Sequence, residues 1–300
     1  MSRVLILAGS VAVPVLLWAC APIASPGQPA VPASGGPSAR TGPVTTGHPA
    51  MVLDDGSGAE LCLGGVMESY PPQCSGPKLV GWDWSDRTGE FEEASGTRWG
   101  EFILTGRYDP AAGEFTPTEV ASGRGYVWPE PEDDVWTSPC PEPAGGWRVT
   151  DTSKVSAGDL DAALSLAAAL PDYSTAWMDQ SPNPYADKDL KDEEKERRLN
   201  DPRYMVINVA VTGDLAAAEA KIREVWSGML CVSRGGRTEA ELLAVQDQLQ
   251  GTPGLLSSSP DPRTGVVKAY VIHDDGSIQA ALDRKFGAGL VLVDSALKPV

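Results

Sequence analysis

The sequence has little of several features that common function classes require. It contains two histidines and only 24 lysines and arginines against 41 aspartates and glutamates, which gives a net charge of −17. Such an acidic chain repels polyanions, so nucleic-acid binding is excluded. It contains no P-loop, Rossmann fingerprint, HExxH or G-x-S-x-G motif, and therefore no recognisable cofactor site or hydrolase nucleophile. Its longest apolar run is shorter than the roughly 20 residues of a membrane-spanning helix.

That apolar run, Val4–Ala19, follows Arg3 near the amino terminus and is typical of a secretory signal. It ends in Leu17-Trp18-Ala19-Cys20, which resembles the lipobox of bacterial lipoproteins, with Trp18 where that family usually has a small residue. The resemblance implies a signal peptide over 1–19, a lipid on Cys20 and a position on the extracytoplasmic face of the cell membrane. A plain secretory signal and an uncleaved anchor are the alternatives. The composition is similar to that of secreted lipoproteins of actinobacteria.

Cysteine is scarce, and the positions of the five residues favour disulfides over metal. With Cys20 carrying a lipid, four remain, which allow three pairings. The pair Cys62–Cys74 is favoured because a Pro-Pro bend joins two extended pieces between them, and Cys140 and Cys231 then pair with each other. There is no C-x-x-C, and neither histidine is near a cysteine in the sequence, so we predict no metal and no cofactor.

Composition divides the chain into a tether and two folded parts. Residues 20–50 are rich in Pro, Ala, Gly, Ser and Thr, which predicts a disordered tether. Residues 51–140 show no helical period, and two strands at 99–108 and 114–120 flank the turn sequence DPAAG. We predict a small antiparallel β-barrel that resembles an OB-fold.

From residue 146 onward, alanine-rich helical patterns alternate with aliphatic strands and repeat. The segment that begins at Val206 aligns without gaps with the segment that begins at Val267, and the copies cover about 156–233 and 238–294. With a leading strand at 146–149, the order is βαββαβ, so we predict a pseudo-duplicated ferredoxin-like domain. The whole chain is then α+β. Ser156 with Asp159, and Thr238 with Glu241, have the spacing of capping boxes at helix starts.

Two features are candidates for ligand binding or chemistry. Trp82 and Trp84 alternate with Asp83 as if on one face of a strand, where exposed rings stack on sugars. His273 precedes two aspartates at the predicted end of a strand, which suits a catalytic base or a turn. The aligned copy has Thr212 at this position, which favours the turn.

These observations favour a non-enzymatic envelope lipoprotein that binds a partner protein or a wall polysaccharide. Two alternatives remain at this stage. One is an envelope hydrolase whose two carboxylates lie far apart in the sequence. The other is a small-molecule binder that uses the mouth of the barrel.

Overall fold

The computed structural model describes residues 42–129, 136–186 and 188–300, which form an α+β fold. The predicted α+β class is therefore confirmed. The predicted signal peptide (1–19), Cys20 and most of the predicted tether lie outside the described residues. Within the described ranges, no helix is both long enough and apolar enough to cross a membrane.

The first folded part is rich in strands and is called the β-lobe below. A short strand from the far end of the chain completes it. The strands are β1 (Val44–Thr45), β2 (Ala50–Asp54), β3 (Glu60–Cys62), β4 (Lys78–Leu79), β5 (Glu92–Ala94), β6 (Thr97–Asp109), β7 (Glu114–Ser122) and β14 (Lys298–Pro299). β6 and β7 form the hairpin that the sequence predicts around DPAAG.

Five of these strands pair in a ring, but the ring is not a regular antiparallel barrel. β6 pairs with β2, β2 with β3, β3 with β4, β4 with β7, and β7 with β6. The seam at β4 is thin: one residue pair joins it to β3, two pairs join it to β7, and the β4–β7 pairing is parallel. β4 is short because Pro77 offers no N–H before it and Gly81 has a φ of 76° after it. The predicted small antiparallel barrel is corrected accordingly.

The long strand β6 bends enough to pair with four other strands. Its register to β7 shifts between Thr105 and Gly106, which is a β-bulge. A Cβ at Gly106 would lie 2.2 Å from the carbonyl oxygen of Thr116, so only glycine fits at this close approach. Before the bulge, Phe102 and Leu104 are fully buried in the core of the lobe.

Both ends of the β-lobe differ from the predicted boundaries of 51 and 140. Val44 lies between β6 and β14 and is only 2% exposed, so the folded chain begins inside the predicted tether of 20–50. Thr46 is buried too, and its hydroxyl accepts a hydrogen bond from the Leu104 N–H at 3.1 Å. From the other end, Leu297 is fully buried in the core of the lobe.

The rest of the chain forms two units with the same main element order, αββαβ. The first unit contains α1 (Ala157–Ala168), β8 (Tyr173–Asp179), β9 (Val206–Val211), α3 (Leu215–Arg223) and β10 (Met229–Arg234), with α2 (Asp192–Leu199) in the charged insertion. The second unit contains α4 (Glu239–Asp247), β11 (Leu255–Asp261), β12 (Val266–Val271), α5 (Ser277–Phe286) and β13 (Val291–Ser295). In each three-stranded sheet, the middle strand is antiparallel to the strand before it and parallel to the strand after it.

Strand register shows how the two units correspond. Val206 pairs with Asp179 in the first sheet, and Val266 pairs with Asp261 in the second. By this register Val206 corresponds to Val266. The gap-free alignment of the sequence predicts Val267 instead. The turn after the middle strand is longer in the second unit, at 272–276 against 212–214.

The predicted leading strand at 146–149 is absent, so neither unit is a complete βαββαβ. Gly145 and Gly146 both have positive φ, at 88° and 87°, which turns the chain where an extended strand was expected. Further along, Thr150 bonds to the first unit: its N–H donates to the Ser227 carbonyl at 2.8 Å.

Both capping boxes predicted from the sequence are present. The Ser156 hydroxyl accepts from the Asp159 N–H, and the Asp159 carboxylate accepts from the Ser156 N–H at 2.8 Å. Thr238 and Glu241 make the same reciprocal pair at the start of α4. Four-residue signals of this kind are local, so sequence alone places them correctly.

Candidate ligand-binding cleft

The four described cysteines form the two disulfides that the sequence favours. Cys62 pairs with Cys74 and Cys140 with Cys231, each with a Cα–Cα distance of 5.8 Å. Cys140 packs with Trp147 against the face of the first sheet that its helices leave uncovered. The segment around Cys140 therefore belongs with the first unit, although the predicted boundary at 140 places it in the β-lobe. Cys20 lies outside the described residues.

Trp84 lies in the core of the β-lobe, and Trp82 packs against that core, rather than on a binding face. Asp83 caps a 3₁₀ turn that begins at Trp84, so the predicted strand through both rings is wrong. Trp84 is 6% exposed, and its Nε1 donates to the Asp54 carboxylate at 3.1 Å. Trp82 is half-buried, with its ring 5.1 Å from that of Phe102. The ligand-binding role of these residues stays a prediction that their burial does not support.

A cleft between the β-lobe and the second unit brings together several kinds of functional group. It has two adjoining chambers that share Tyr108, Pro110, His273 and Asp275. The Arg107 chamber has a volume of about 340 Å³ and is also lined by Gly42, Val44, Arg107 and Asp109. The Ile278 chamber has a volume of about 290 Å³ and is also lined by Pro253, Gly254, Ile272, Ser277 and Ile278.

On the β-lobe side, the end of β6 and the tight hairpin after it position the lining residues. The Asp109 carboxylate accepts hydrogen bonds from the N–H groups of Ala111 and Ala112, at 2.9 and 3.2 Å. The Gly113 N–H closes the turn on the Asp109 carbonyl at 2.9 Å, and Gly113 has a φ of 69° that suits glycine. This rigid turn holds Tyr108 and Pro110 at the wall of the cleft.

On the other side, the longer turn of the second unit supplies the polar groups. In the first unit Asp214 caps α3 by accepting from the N–H groups of Ala216 and Ala217. In the second unit Asp274 does this for α5, where its carboxylate accepts from three backbone N–H groups. Asp274 is thus the counterpart of Asp214, and His273 and Asp275 belong to the part of the turn that differs between the units.

The imidazole of His273 is held in one tautomer. Its Nδ1 lies 2.9 Å from the carbonyl oxygen of Leu297, and because a carbonyl only accepts, Nδ1 carries the proton. In the neutral ring Nε2 then keeps its lone pair, and within the described residues it makes no hydrogen bond. The ring meets that of Tyr108 edge-on, with centroids 6.4 Å apart.

Local hydrogen bonds and burial set the charge states of two lining groups. Hydrogen bonds from Ser277 lower the pKa of Asp275, with a smaller contribution from His273, so this carboxylate is ionised at neutral pH. Burial, and then the neighbouring Asp109 charge, raise the pKa of Tyr108, which keeps its phenol protonated. The cleft therefore presents an anion, a hydroxyl group and an imidazole to a ligand.

The groups do not form a serine-hydrolase triad, although His273, Asp275 and Ser277 line the same chamber. A triad needs the histidine to bond to the serine hydroxyl on one side and to a carboxylate on the other. Here Nδ1 of His273 bonds to a backbone carbonyl, and Asp275 accepts from the Ser277 N–H at 2.9 Å. Among the residues that the structure describes, no group of three or more His, Cys, Asp or Glu side chains is placed to hold a metal.

A second groove, around His48 and Tyr270, is less suited to chemistry. Its principal cavity has a volume of about 350 Å³. The two charged side chains that line it, Asp294 and Lys298, neutralise each other as an ion pair at 3.3 Å. The His48 Nδ1 lies 3.2 Å from the carbonyl of its neighbour Pro49. The cleft at His273 is therefore the better candidate site.

Sequence reasoning named His273 and missed Tyr108, Asp109 and Pro110. These three residues carry no motif, because they reach the cleft only when the β6–β7 hairpin packs on the second unit. The only signal in the sequence concerns the other side of the cleft: the turn at 272–276, which contains His273 and Asp275, is longer than its counterpart. A gap-free alignment of the two copies hides this extra length. Comparison with protein-family models found no matching family, and comparison with curated proteins found no match.

Proposed function

We propose that this protein is a lipid-anchored, extracytoplasmic binding protein that takes a small ligand in the cleft between the β-lobe and the second unit. Cys20 carries the lipid, and residues 20–43 link it to the folded part. The observation that carries the binding function is the pair of chambers around Tyr108 and His273, where apolar walls meet a few convergent polar groups.

Two features support the location. The sequence Leu17-Trp18-Ala19-Cys20 resembles a lipobox. All four described cysteines are in disulfides, which persist in oxidising compartments outside the cytoplasm.

The strand order supports a binding role for the cleft. Taken in chain order, the ring strands β2, β3, β4, β6 and β7 pair as first-second-third-fifth-fourth, with the third parallel to the fifth. This is the order of an OB-like fold with one thin seam, and OB-folds use the loop between their fourth and fifth strands in ligand binding. The corresponding loop here is the β6–β7 turn that contains Pro110.

The anchor is tested by cell fractionation and mass spectrometry. We expect the wild-type protein in the membrane fraction, with a mature chain that begins at an acylated Cys20. Cys20→Ser is expected to remain an unprocessed precursor that carries no acyl chain. Cys62→Ser, which removes a different cysteine, is the control and should still be acylated. A wild-type chain that retains Met1–Ala19 would refute the anchor.

Ligand binding is tested by NMR of the histidine rings, since the chain contains only two histidines. His273→Phe and His48→Phe assign the two Cε1–H signals. Small-molecule fractions from the cell envelope are then added to the purified protein. We expect the His273 signal to shift in a saturable manner while the His48 signal stays in place. Fractions that shift only His48, or neither ring, would count against a ligand site in this cleft.

A hydrolase is the second candidate, because the fold brings two carboxylates from distant parts of the sequence to one chamber. Asp109 and Asp275 both line the Arg107 chamber. Glycoside hydrolysis requires such a pair on opposite sides of the scissile bond. Release of reducing sugar from wall polysaccharide, abolished by either Asp109→Asn or Asp275→Asn, would favour this function over simple binding.

A further inference from the structure

We propose that the Ile278 chamber binds a primary ammonium group carried on an apolar body, an inference that rests on the proposed ligand-binding function of the cleft. Asp275 is the counter-ion, and His273 Nε2 is the second acceptor. The apolar body lies against Ile272, Ile278 and Pro253. Asp274 accepts from three backbone N–H groups at the start of α5, whereas Asp275 bonds to Ser277 alone.

Among the described residues that line this chamber, Asp275 is the only carboxylate, and none is a lysine or an arginine. Its carboxylate accepts from the Ser277 N–H at 2.9 Å, and hydrogen bonds from Ser277 lower its pKa. Within the described residues Asp275 forms no ion pair, although Arg107 lines the adjoining chamber that Asp275 also lines. A half-buried carboxylate without an ion-pair partner is stabilised by a ligand that brings a positive charge.

The α5 N-terminus would by itself favour an anion, since the helix dipole places partial positive charge there. In this protein the backbone N–H groups of Gly276, Ser277, Ile278 and Gln279 are already bonded to the side chains of Asp274 and Asp275. The helix end therefore has none of these four N–H groups free to bind a carboxylate or phosphate, and it presents the Asp275 carboxylate to a ligand instead.

The remaining polar groups suit an ammonium group better than a neutral hydroxyl. An ammonium group has three donors and no acceptor, and the chamber offers the Asp275 carboxylate, His273 Nε2 and the Tyr108 hydroxyl as acceptors. Half-buried Ile272 and Ile278 then leave an apolar wall for the body of the ligand. A volume of about 290 Å³ suits a small amine rather than a polymer.

The test uses three probes with closely similar apolar bodies: phenethylamine, 2-phenylethanol and 3-phenylpropanoate. Each is titrated into the purified protein at about pH 8, above the usual titration range of histidine, and the two histidine ring signals are followed. Replacing a charge-assisted hydrogen bond by a neutral one costs about ten-fold in affinity. We therefore expect the amine to shift the His273 signal with a dissociation constant about ten-fold lower than that of the alcohol, and the acid to cause no shift.

Asp275→Asn is the decisive variant, because asparagine keeps an oxygen acceptor for the Ser277 N–H and removes only the charge. It should reduce amine affinity to that of the alcohol. Asp294→Asn removes a carboxylate from the other groove and should have no effect. Equal binding of all three probes, or of the amine to Asp275→Asn and wild type, would overturn the ammonium site but leave a ligand site in the cleft. Absence of any His273 shift with the three probes would also overturn it, and envelope fractions then decide the proposed function separately.

Discussion

Removing the two disulfides one at a time should destabilise the protein by different amounts. A disulfide lowers the entropy of the unfolded chain by closing a loop, and the loss grows with the length of that loop. Cys62 and Cys74 are 12 residues apart, whereas Cys140 and Cys231 are 91 apart. The loop-closure relation gives about 3 kcal/mol for the short loop and about 4.5 kcal/mol for the long one.

The two double variants, Cys62→Ala/Cys74→Ala and Cys140→Ala/Cys231→Ala, form a matched comparison. Cys62 is 5% exposed and Cys231 is 1% exposed, so each variant removes one deeply buried sulfur. Urea unfolding followed by circular dichroism should place the second variant about 1.5 kcal/mol below the first.

Hydrogen exchange shows where each loss acts. Without Cys140–Cys231, the segment over the first sheet is released from Val206 and Met229, so exchange should rise in β9 and β10 and stay unchanged in the β-lobe. An equal loss of stability without either disulfide, or an exchange rate that rises first in the β-lobe when Cys140–Cys231 is removed, would refute this loop-length effect.

Three further outcomes follow from buried and capping residues. Leu297→Ala should lower the free energy of unfolding by about 2–5 kcal/mol, measured by urea denaturation, because this fully buried side chain fills the β-lobe core from the end of the chain; a loss below about 1 kcal/mol would show that β14 is dispensable. Ser156→Ala and Thr238→Ala should each cost about 1 kcal/mol, and the double variant should show their sum, since the caps belong to different units. Hydrogen bonds from Ser156 lower the pKa of Asp159, so the ionised carboxylate stabilises the folded protein above the ordinary pKa of 3.8, and this stabilisation is lost as the pH falls through the lower pKa of the folded state. Asp159→Asn should therefore be less stable than wild type at about pH 7 and equally stable at about pH 2. A stability difference that persists in acid would contradict an origin in the Asp159 charge.

Local signals in the sequence predict local structure well in this chain. The β6–β7 hairpin follows from one short Pro- and Gly-containing stretch between alternating strands, and both capping boxes follow from four-residue patterns. The α+β class follows from the change of hydrophobic period near residue 146. Each of these depends on neighbours within a few residues, so tertiary packing does not alter them.

Several of the predictions that differ from the structure depend on distant contacts. Asp83 and Trp84 have the alternation of a strand, but the Trp84 ring is buried with its Nε1 on Asp54, and the backbone turns to allow it. The tether composition near Val44 looks disordered, yet two strands from elsewhere pair with it. The cleft residues Tyr108 and His273 are far apart in the chain, and only the packing of the β-lobe on the second unit joins them.

The position of β14 has a consequence for the order in which the protein matures. A polypeptide is synthesised from its amino terminus, so β1 is made long before Leu297 and Lys298, yet β1 needs β14 as a neighbour and the β-lobe core needs Leu297. The two αββαβ units have no such dependence on the last residues for their sheets. The β-lobe is therefore the last part to reach its final packing, and until synthesis is complete its edge at β1 stays open to chaperones and proteases.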